Sequence, residues 1–370
     1  MKRILVVGDY QKGSGLTGYI LSLYSEAQDF NVSCVSYSGK HELDTVLNNK
    51  SWDKFDITPV RASLVKHCYE WMIFFKKHHN DFDIIHFNYS SAWNFWAVLM
   101  ARKYTDARIV IQSHSAFYSK RPHGLEKIVL DFLNKVGKVI FNRYGNLKVA
   151  VSKQAALWMF GQASDVHILR NGIDVSKFKY SMNNRMKIRS ANGFTKDDKL
   201  LCFVGTLTPL KNPFFTLDLL KKLRKADTCF QLCIFGQGPL LNELKQRTNE
   251  LNLTDYVHFF GVKTNINEWY SAMDVFVFPS ENEGFGYSML EAQVNGLPAL
   301  CSTTIPSDVQ QTSSAVALPL SDLDLWVNKI RSLEFKRSKK VSDINAGIIQ
   351  SNGYSIDQTG NFFLRLLSNL

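Results

Sequence analysis

Two glutamates, Glu283 and Glu291, stand in the run Phe278-Pro279-Ser280-Glu281-Asn282-Glu283-Gly284-Phe285-Gly286-Tyr287-Ser288-Met289-Leu290-Glu291-Ala292. The residue types read as the end of a strand, a glycine-rich turn and the start of a helix. A carboxylate accepts two hydrogen bonds from a vicinal diol, so this pair suits two different hydroxyl groups of one ligand. The amides of Gly284, Phe285 and Gly286 would face that ligand near the positive end of the helix. The spacing equally permits a plain capped helix with one exposed and one paired glutamate. A second run, Gly13-Ser14-Gly15-Leu16-Thr17-Gly18, lies between an apolar stretch at 3–7 and an apolar-periodic stretch at 19–24. That order lets backbone amides approach a phosphate at a helix N-terminus. Cys229 and Cys233 are near neighbours, but no His or Cys cluster beside them completes a metal site.

To hold these groups in place the chain must bring strand ends next to them. Short apolar runs at 3–7, 32–35, 84–87, 109–111 and 149–151 alternate with helical stretches, which predicts a parallel sheet covered on both faces. The stretch 176–199 is rich in Lys, Arg, Asn and Ser and reads as the region joining two domains. Alternation then resumes, with strands expected at 200–204, 230–235, 257–260, 275–278 and 299–301. Asn212 is expected to cap a helix with Pro213 at its first position and Phe214, Leu217, Leu220 and Leu223 at helical spacing. Further helices are expected at 239–251 and at 287–294, the latter ended by Asn295-Gly296. The fold class is therefore α/β, with two doubly wound parallel-sheet domains at 1–175 and 176–354 and a final helix at 355–370 returning to the first domain. Ligands of such sheets bind at the carboxyl ends of the strands, so the chemistry is expected in a cleft between the domains.

The composition, 45% hydrophobic and 21% charged over 370 residues, excludes a disordered chain, a collagen-like repeat and a disulfide-stapled mini-domain. The 44 Lys and Arg exceed the 33 Asp and Glu by 11, which suits a nucleic-acid surface, an anionic membrane or phosphate-bearing ligands. The excess is larger in the first half: 22 basic against 15 acidic residues over 1–175, and 22 against 18 over 176–370. The apolar run behind Met1 is too short for a signal-peptide core, and no stretch is long enough to span a bilayer. The six scattered cysteines read as free thiols of a reducing compartment, so a cytoplasmic or peripheral protein is expected.

The block Glu283-Gly284-Phe285-Gly286, followed by Glu291-Ala292 and Gly296-Leu297-Pro298, resembles the paired-glutamate motif of the retaining, metal-independent glycosyltransferases of the GT-B fold, family four. Ser113-His114, Val149-Ala150-Val151-Ser152, Asn171-Gly172-Ile173-Asp174, Val204-Gly205 through Lys211 and Gly236-Gln237-Gly238-Pro239 fit the same pattern in order. Glu291-Ala292-Gln293 and Thr304-Ile305-Pro306 are similar to enzymes of bacterial capsule and exopolysaccharide assembly. The resemblance implies that Glu291 binds the ribose of a nucleotide-sugar donor, with a UDP-sugar expected. It implies that Glu283 and the amides of Gly284, Phe285 and Gly286 hold the donor sugar. Lys211 would contact the diphosphate, beside Gly205 and Thr206, while Gly13 and Gly15 would approach the distal phosphate. His114 matches the histidine near the reaction centre. One departure concerns Thr206, which stands where the family carries an arginine and cannot supply a charge-assisted bond. Lys12 is a candidate to compensate. On the acceptor side Lys12, His86 and Arg121 are candidates. The aromatic run from Tyr69 to His79, with Lys120 and Arg121, suggests contact with an anionic membrane carrying a polyprenyl-diphosphate-linked acceptor, or simply a core helix with a basic end. No resident metal or cofactor is implied.

Three other readings compete. A dinucleotide oxidoreductase is disfavoured because residues 9–12 separate strand from glycines and no acidic residue ends the second strand. A sugar-nucleotide epimerase on the same architecture is the nearer alternative. A nucleic-acid-binding protein rests on charge alone.

Overall fold

The five apolar runs of the first half become five of the seven parallel strands in a computed structural model that describes every residue except Gly13, Ser25, Glu26, Gln28, Ser119, Lys120, Arg121, Asn171 and Gly284; the strands at 53–56 and 167–168 are not among those expected. The strands are β1 (Lys2–Gly8), β2 (Phe30–Ser36), β3 (Asp53–Asp56), β4 (Ile84–Tyr89), β5 (Arg108–Ser113), β6 (Leu147–Ala150) and β7 (His167–Ile168). Between them run α1 (Gly15–Leu23), α2 (Asp44–Asn49), α3 (Leu64–Lys77), α4 (Trp96–Tyr104), α5 (Gly124–Tyr144) and α6 (Lys153–Phe160). Their order across the sheet is β3-β2-β1-β4-β5-β6-β7, so the order in which strands are added reverses between β1 and β4 while all strands stay parallel. Ile4, Leu5, Val6 and Val7 of β1 are fully buried, as a central strand covered on both faces requires.

The second half repeats the plan. It contains α7 (Met182–Ala191), β8 (Lys199–Val204), α8 (Phe214–Arg224), β9 (Phe230–Phe235), α9 (Leu241–Glu250), β10 (Val257–Gly261), α10 (Ile266–Ala272), β11 (Val275–Phe278), α11 (Tyr287–Val294), β12 (Ala299–Ser302), β13 (Ala315–Leu318), α12 (Leu323–Arg331) and α13 (Lys339–Ser351). The six strands are parallel in the order β10-β9-β8-β11-β12-β13. The last helix, α14 (Ile356–Ser368), carries the chain back: one unit comprises Met1–Gly172 with Asp357–Leu370, the other Ile173–Ile356. Phe363 of α14 packs against the rings of His86 and Tyr24, and the Thr359 hydroxyl donates to the Arg170 carbonyl at 3.1 Å.

Two local expectations are corrected. The polar stretch 176–199 is built into the second unit. Arg185 and Arg189 of α7 converge on the buried Asp274 at 2.7 and 3.2 Å, and Asp274 also accepts from the Leu200 amide at 2.8 Å. Charged residues that look like linker composition therefore form a buried, hydrogen-bonded cluster. Asn212 does not cap α8. It takes a left-handed conformation with φ 50° after a 3-10 turn at Pro209–Lys211, and Pro213 precedes the helix with no side-chain cap.

Candidate active site

In the second sheet, the order in which strands are added reverses between β8 and β11, the place where loops leaving neighbouring strands part and make room for a ligand. Lys211 lies on the loop after β8, and Glu283 on the loop after β11. Three features fix these loops. The Glu281 amide donates to the Leu210 carbonyl at 2.8 Å, joining one loop to the other. The Ser302 and Thr304 hydroxyls both donate to the Ser280 carbonyl, holding the second loop to the end of β12. The backbones after β8 and β9 cross so closely that a Cβ on Gly236, whose φ is +138°, would lie 1.9 Å from the Gly205 carbonyl oxygen. Only glycine fits there.

The Lys211 ammonium pairs with the Glu283 carboxylate and lies 5.7 Å from the centre of the Phe278 ring. Glu283 is only 7% exposed, so its charge is shielded from water and its main partner is the lysine. Glu291 sits one turn into α11, where Tyr270, missed in the sequence, donates its hydroxyl to Oε2 at 3.0 Å. Desolvation pushes the Glu291 carboxyl up to about 7, and the Tyr270 bond and nearby Lys177 only partly offset it. Oε1 has no hydrogen-bond partner within the chain among the described residues, which leaves one carboxylate oxygen for an incoming hydroxyl. Phe285 contributes backbone only, since its side chain is buried and stacked on Tyr354 at 5.8 Å. Gly286 caps α11 with φ 106°, and a Cβ there would press on the Phe278 ring at 3.3 Å. Gly205 and the exposed Thr206 flank the Lys211 loop; Gly284 lies outside the described residues.

The first unit holds its candidates separately. Gly15 opens α1 behind Ser14, whose side chain caps the helix, and Lys12 is exposed on the preceding loop. His114 follows β5, its amide bonded to the Tyr89 carbonyl at 2.9 Å. The Asn88 Nδ2 group donates to Val7, so its Oδ1 faces His114 Nε2 at 2.8 Å. Nε2 must then carry the proton and Nδ1 the lone pair. Burial, reinforced by His86, pushes His114 down to about 3, so it is a neutral ring able to accept a hydrogen bond from a hydroxyl at Nδ1. His86 is different. It sits mid-strand in β4, fully buried, bonded to the Tyr24 hydroxyl at 2.8 Å and covered by Phe363. Burial holds it near 3 as well, and its place is structural; the acceptor-side role expected of it has no geometric support. In α3, Trp71, Phe74 and Phe75 are buried, so that run is a core helix with a basic end. Gly13, Lys120 and Arg121 lie outside the described residues. All six cysteines are free thiols. Among the described residues no three His, Cys, Asp or Glu side chains converge as a metal site, and no helix is long and apolar enough to cross a membrane.

Two doubly wound units, with the cationic loop and both glutamates at the switch point of the second, define a protein of the GT-B fold. Known proteins agree: the chain aligns along its whole length with Anabaena Alr3699/HepE, solved in complex with UDP-glucose, at TM-score 0.80 and 18% identity. Residues 19–177 match Glycosyltransferase Family 4, and residues 184–340 match Glycosyl transferases group 1. The chain belongs to the glycosyltransferases that join these two domains. It is 33% identical over 187 residues to the putative glycosyltransferase EpsF of Bacillus subtilis (strain 168), covering 49% of each chain. It is 27% identical over 198 residues to UDP-Gal:alpha-D-GlcNAc-diphosphoundecaprenol alpha-1,3-galactosyltransferase of Escherichia coli, covering 52% of this chain and 51% of that one. The aligned segment thus spans about half the length of these curated relatives.

Proposed function

We propose that this protein is a retaining glycosyltransferase that moves a sugar from a UDP-sugar to a hydroxyl of a growing, lipid-linked glycan during surface polysaccharide synthesis at the cytoplasmic side of the membrane. The observation that carries the reading is the pairing of Lys211 with Glu283 at the switch point, beside a largely desolvated Glu291. An ion pair of this kind presents a cation and an acceptor ready to be separated by a ligand bearing both phosphate and hydroxyl groups. The donor's diphosphate takes Lys211, a sugar hydroxyl takes Glu283, and the ribose diol takes the unpaired Oε1 of Glu291. Lys211 is then placed to stabilise charge growing on the departing diphosphate. Thr206 adds no charge at this position, which leaves Lys211 as the cation on this loop. The amide end of α11 adds its positive dipole from the sugar side.

In the transfer step the bond from the anomeric carbon to the diphosphate oxygen breaks and a bond to the acceptor oxygen forms on the same face. The acceptor proton goes to the departing phosphate oxygen, so no fixed carboxylate base is required and the anomeric configuration is kept. The neutral His114 orients an acceptor hydroxyl through Nδ1. The cation supplied by Lys211 makes a resident metal unnecessary for this step.

The reading is tested by incubating the full chain with a panel of UDP-sugars, with and without polyprenyl-diphosphate-linked glycan acceptors. Acceptor-dependent release of UDP, with an α-linked product from an α-linked donor by NMR, is expected. A nucleotide sugar converted to its epimer without UDP release would overturn it in favour of an epimerase.

A further inference from the structure

Helix α5 is apolar on two opposite faces. Its inner face is pinned to the rest of the unit: Asn134 accepts the Ala92 amide at 2.7 Å, and Phe141 is fully buried. At Gly137 the helix comes so near that a Cβ would lie 1.9 Å from the Ala92 carbonyl oxygen. Farther along, Asn142 donates to the Phe160 carbonyl at 2.7 Å. These contacts set the rotation of the helix, and the opposite face cannot turn inward. That face carries Leu125, Ile128, Val129, Phe132 and Val139, with exposures of 75%, 67%, 48%, 64% and 68%. Their spacing of three, one, three and seven residues makes one stripe, ~21 Å long at ~1.5 Å per residue. A continuous apolar stripe of this kind on a single helix marks an interaction surface.

The stripe ends at charge. Arg143, one turn beyond Val139 on the same face, lines a polar cavity of about 340 Å³ together with Arg102 of α4, Arg108 of β5 and a single acidic residue, Asp106. Among the described residues, none of the three arginines is paired with a carboxylate within salt-bridge distance. Residues 102–153 hold eleven Lys and Arg against three Asp and Glu, a net charge of +8. The basic excess of the first half is therefore concentrated in the sequence segment that contains this helix. Lys127 is paired with Asp131, but Lys135 beside the stripe has no such partner among the described residues.

We infer that α5 lies in the surface of an anionic phospholipid bilayer, with its apolar stripe among the acyl chains and the Arg102–Arg108–Arg143 cavity receiving a headgroup phosphate. Apolar insertion and basic flanks together are what a peripheral helix needs to choose an anionic surface over a neutral one. The inference deepens the lipid-linked-acceptor part of the proposed function and rests on it for its purpose. It moves the expected membrane contact from the aromatic run of α3, whose large rings are core, to the next long helix. A second copy of the chain could also cover the stripe, but the eleven-to-three charge ratio would set like charges against each other in such a pair.

The test is flotation of the full-length protein with phosphatidylcholine vesicles and with phosphatidylcholine–phosphatidylglycerol vesicles, at low and high salt, with UDP binding measured on the same samples. Wild type is expected to prefer the anionic vesicles at least about tenfold and to lose that preference in high salt. The double variant Ile128→Glu/Phe132→Glu should lose vesicle binding at every salt concentration. Arg102→Glu/Arg143→Glu should weaken anionic binding by roughly fivefold or more per arginine while leaving any neutral-vesicle binding unchanged. Both should bind UDP as wild type does, which separates failure of docking from failure of the donor site. Equal binding to both vesicle types, retention in Ile128→Glu/Phe132→Glu, or a dimer that this variant abolishes would each overturn the inference.

Discussion

Replacing Glu291 by Gln should make the ligand-free protein more stable in alkaline solution while weakening its hold on a nucleotide. The carboxyl is raised from its ordinary 4.5 to about 7, chiefly by desolvation. At ~1.4 kcal/mol per pH unit, that displacement penalises the ionised form by ~3 kcal/mol. The side chain keeps some solvent contact, which reduces the effect to about 1–2 kcal/mol. The sign follows from the raised value: the group favours the folded state below about pH 4.5, and that contribution is lost as pH rises through about 7. Glutamine keeps a carbonyl oxygen for the Tyr270 hydroxyl but carries no charge. Urea unfolding should therefore find Glu291→Gln close to wild type at acid pH and about 1–2 kcal/mol more stable at alkaline pH. The same variant loses charge-assisted bonds to the ribose, each about 1.5–3 kcal/mol, so its UDP affinity should fall at least about tenfold. An identical stability difference at both pH values would refute the desolvation argument, and unchanged UDP affinity would refute the ribose assignment.

Tyr270→Phe removes the one hydrogen bond that favours the ionised carboxylate, so the pH midpoint of UDP binding should move upward from about 7; a pH titration of binding checks it. Lys211→Met leaves the buried Glu283 charge unpaired and should destabilise the protein by about 1–3 kcal/mol, while Lys211→Met/Glu283→Gln recovers most of that loss in a double-mutant cycle but not UDP binding. Gly236→Ala drives a methyl into the Gly205 carbonyl at a φ of +138° and should cost about 2–4 kcal/mol, read as a lowered melting temperature. His114→Ala should leave UDP affinity unchanged and reduce acceptor-dependent transfer at least about tenfold, measured by UDP release.

Much of this site can be read from residue order, because the relevant groups lie at strand ends and strand ends are marked by glycine and proline. Lys211, Glu283 and Glu291 are all found that way. Their partners are not. Tyr270 meets Glu291 across 21 positions, and Asn88 meets His114 across 26, through contacts that only the folded sheet creates. The polar stretch 176–199 misleads for a related reason: Arg185 and Arg189 look solvated until Asp274 is brought beneath them. His86 misleads in the opposite direction. It stands inside an apolar run, whereas His114 follows the end of one, and Phe363 of α14 closes over it. Helix α5 hides its outer stripe because a helix apolar on two faces reads as buried. The close approach at Gly137 and the Asn134 and Asn142 hydrogen bonds together decide which face points inward.

The central claim is that the loops after β8 and β11 hold a nucleotide diphosphate through Lys211 and Glu291. Isothermal titration of UDP into the full chain tests it most directly. One site per chain is predicted, with affinity falling at least about tenfold in both Lys211→Ala and Glu291→Gln and unchanged in the α5 variant Ile128→Glu/Phe132→Glu. Absence of UDP binding in the wild type, or equal binding in all four proteins, would contradict it.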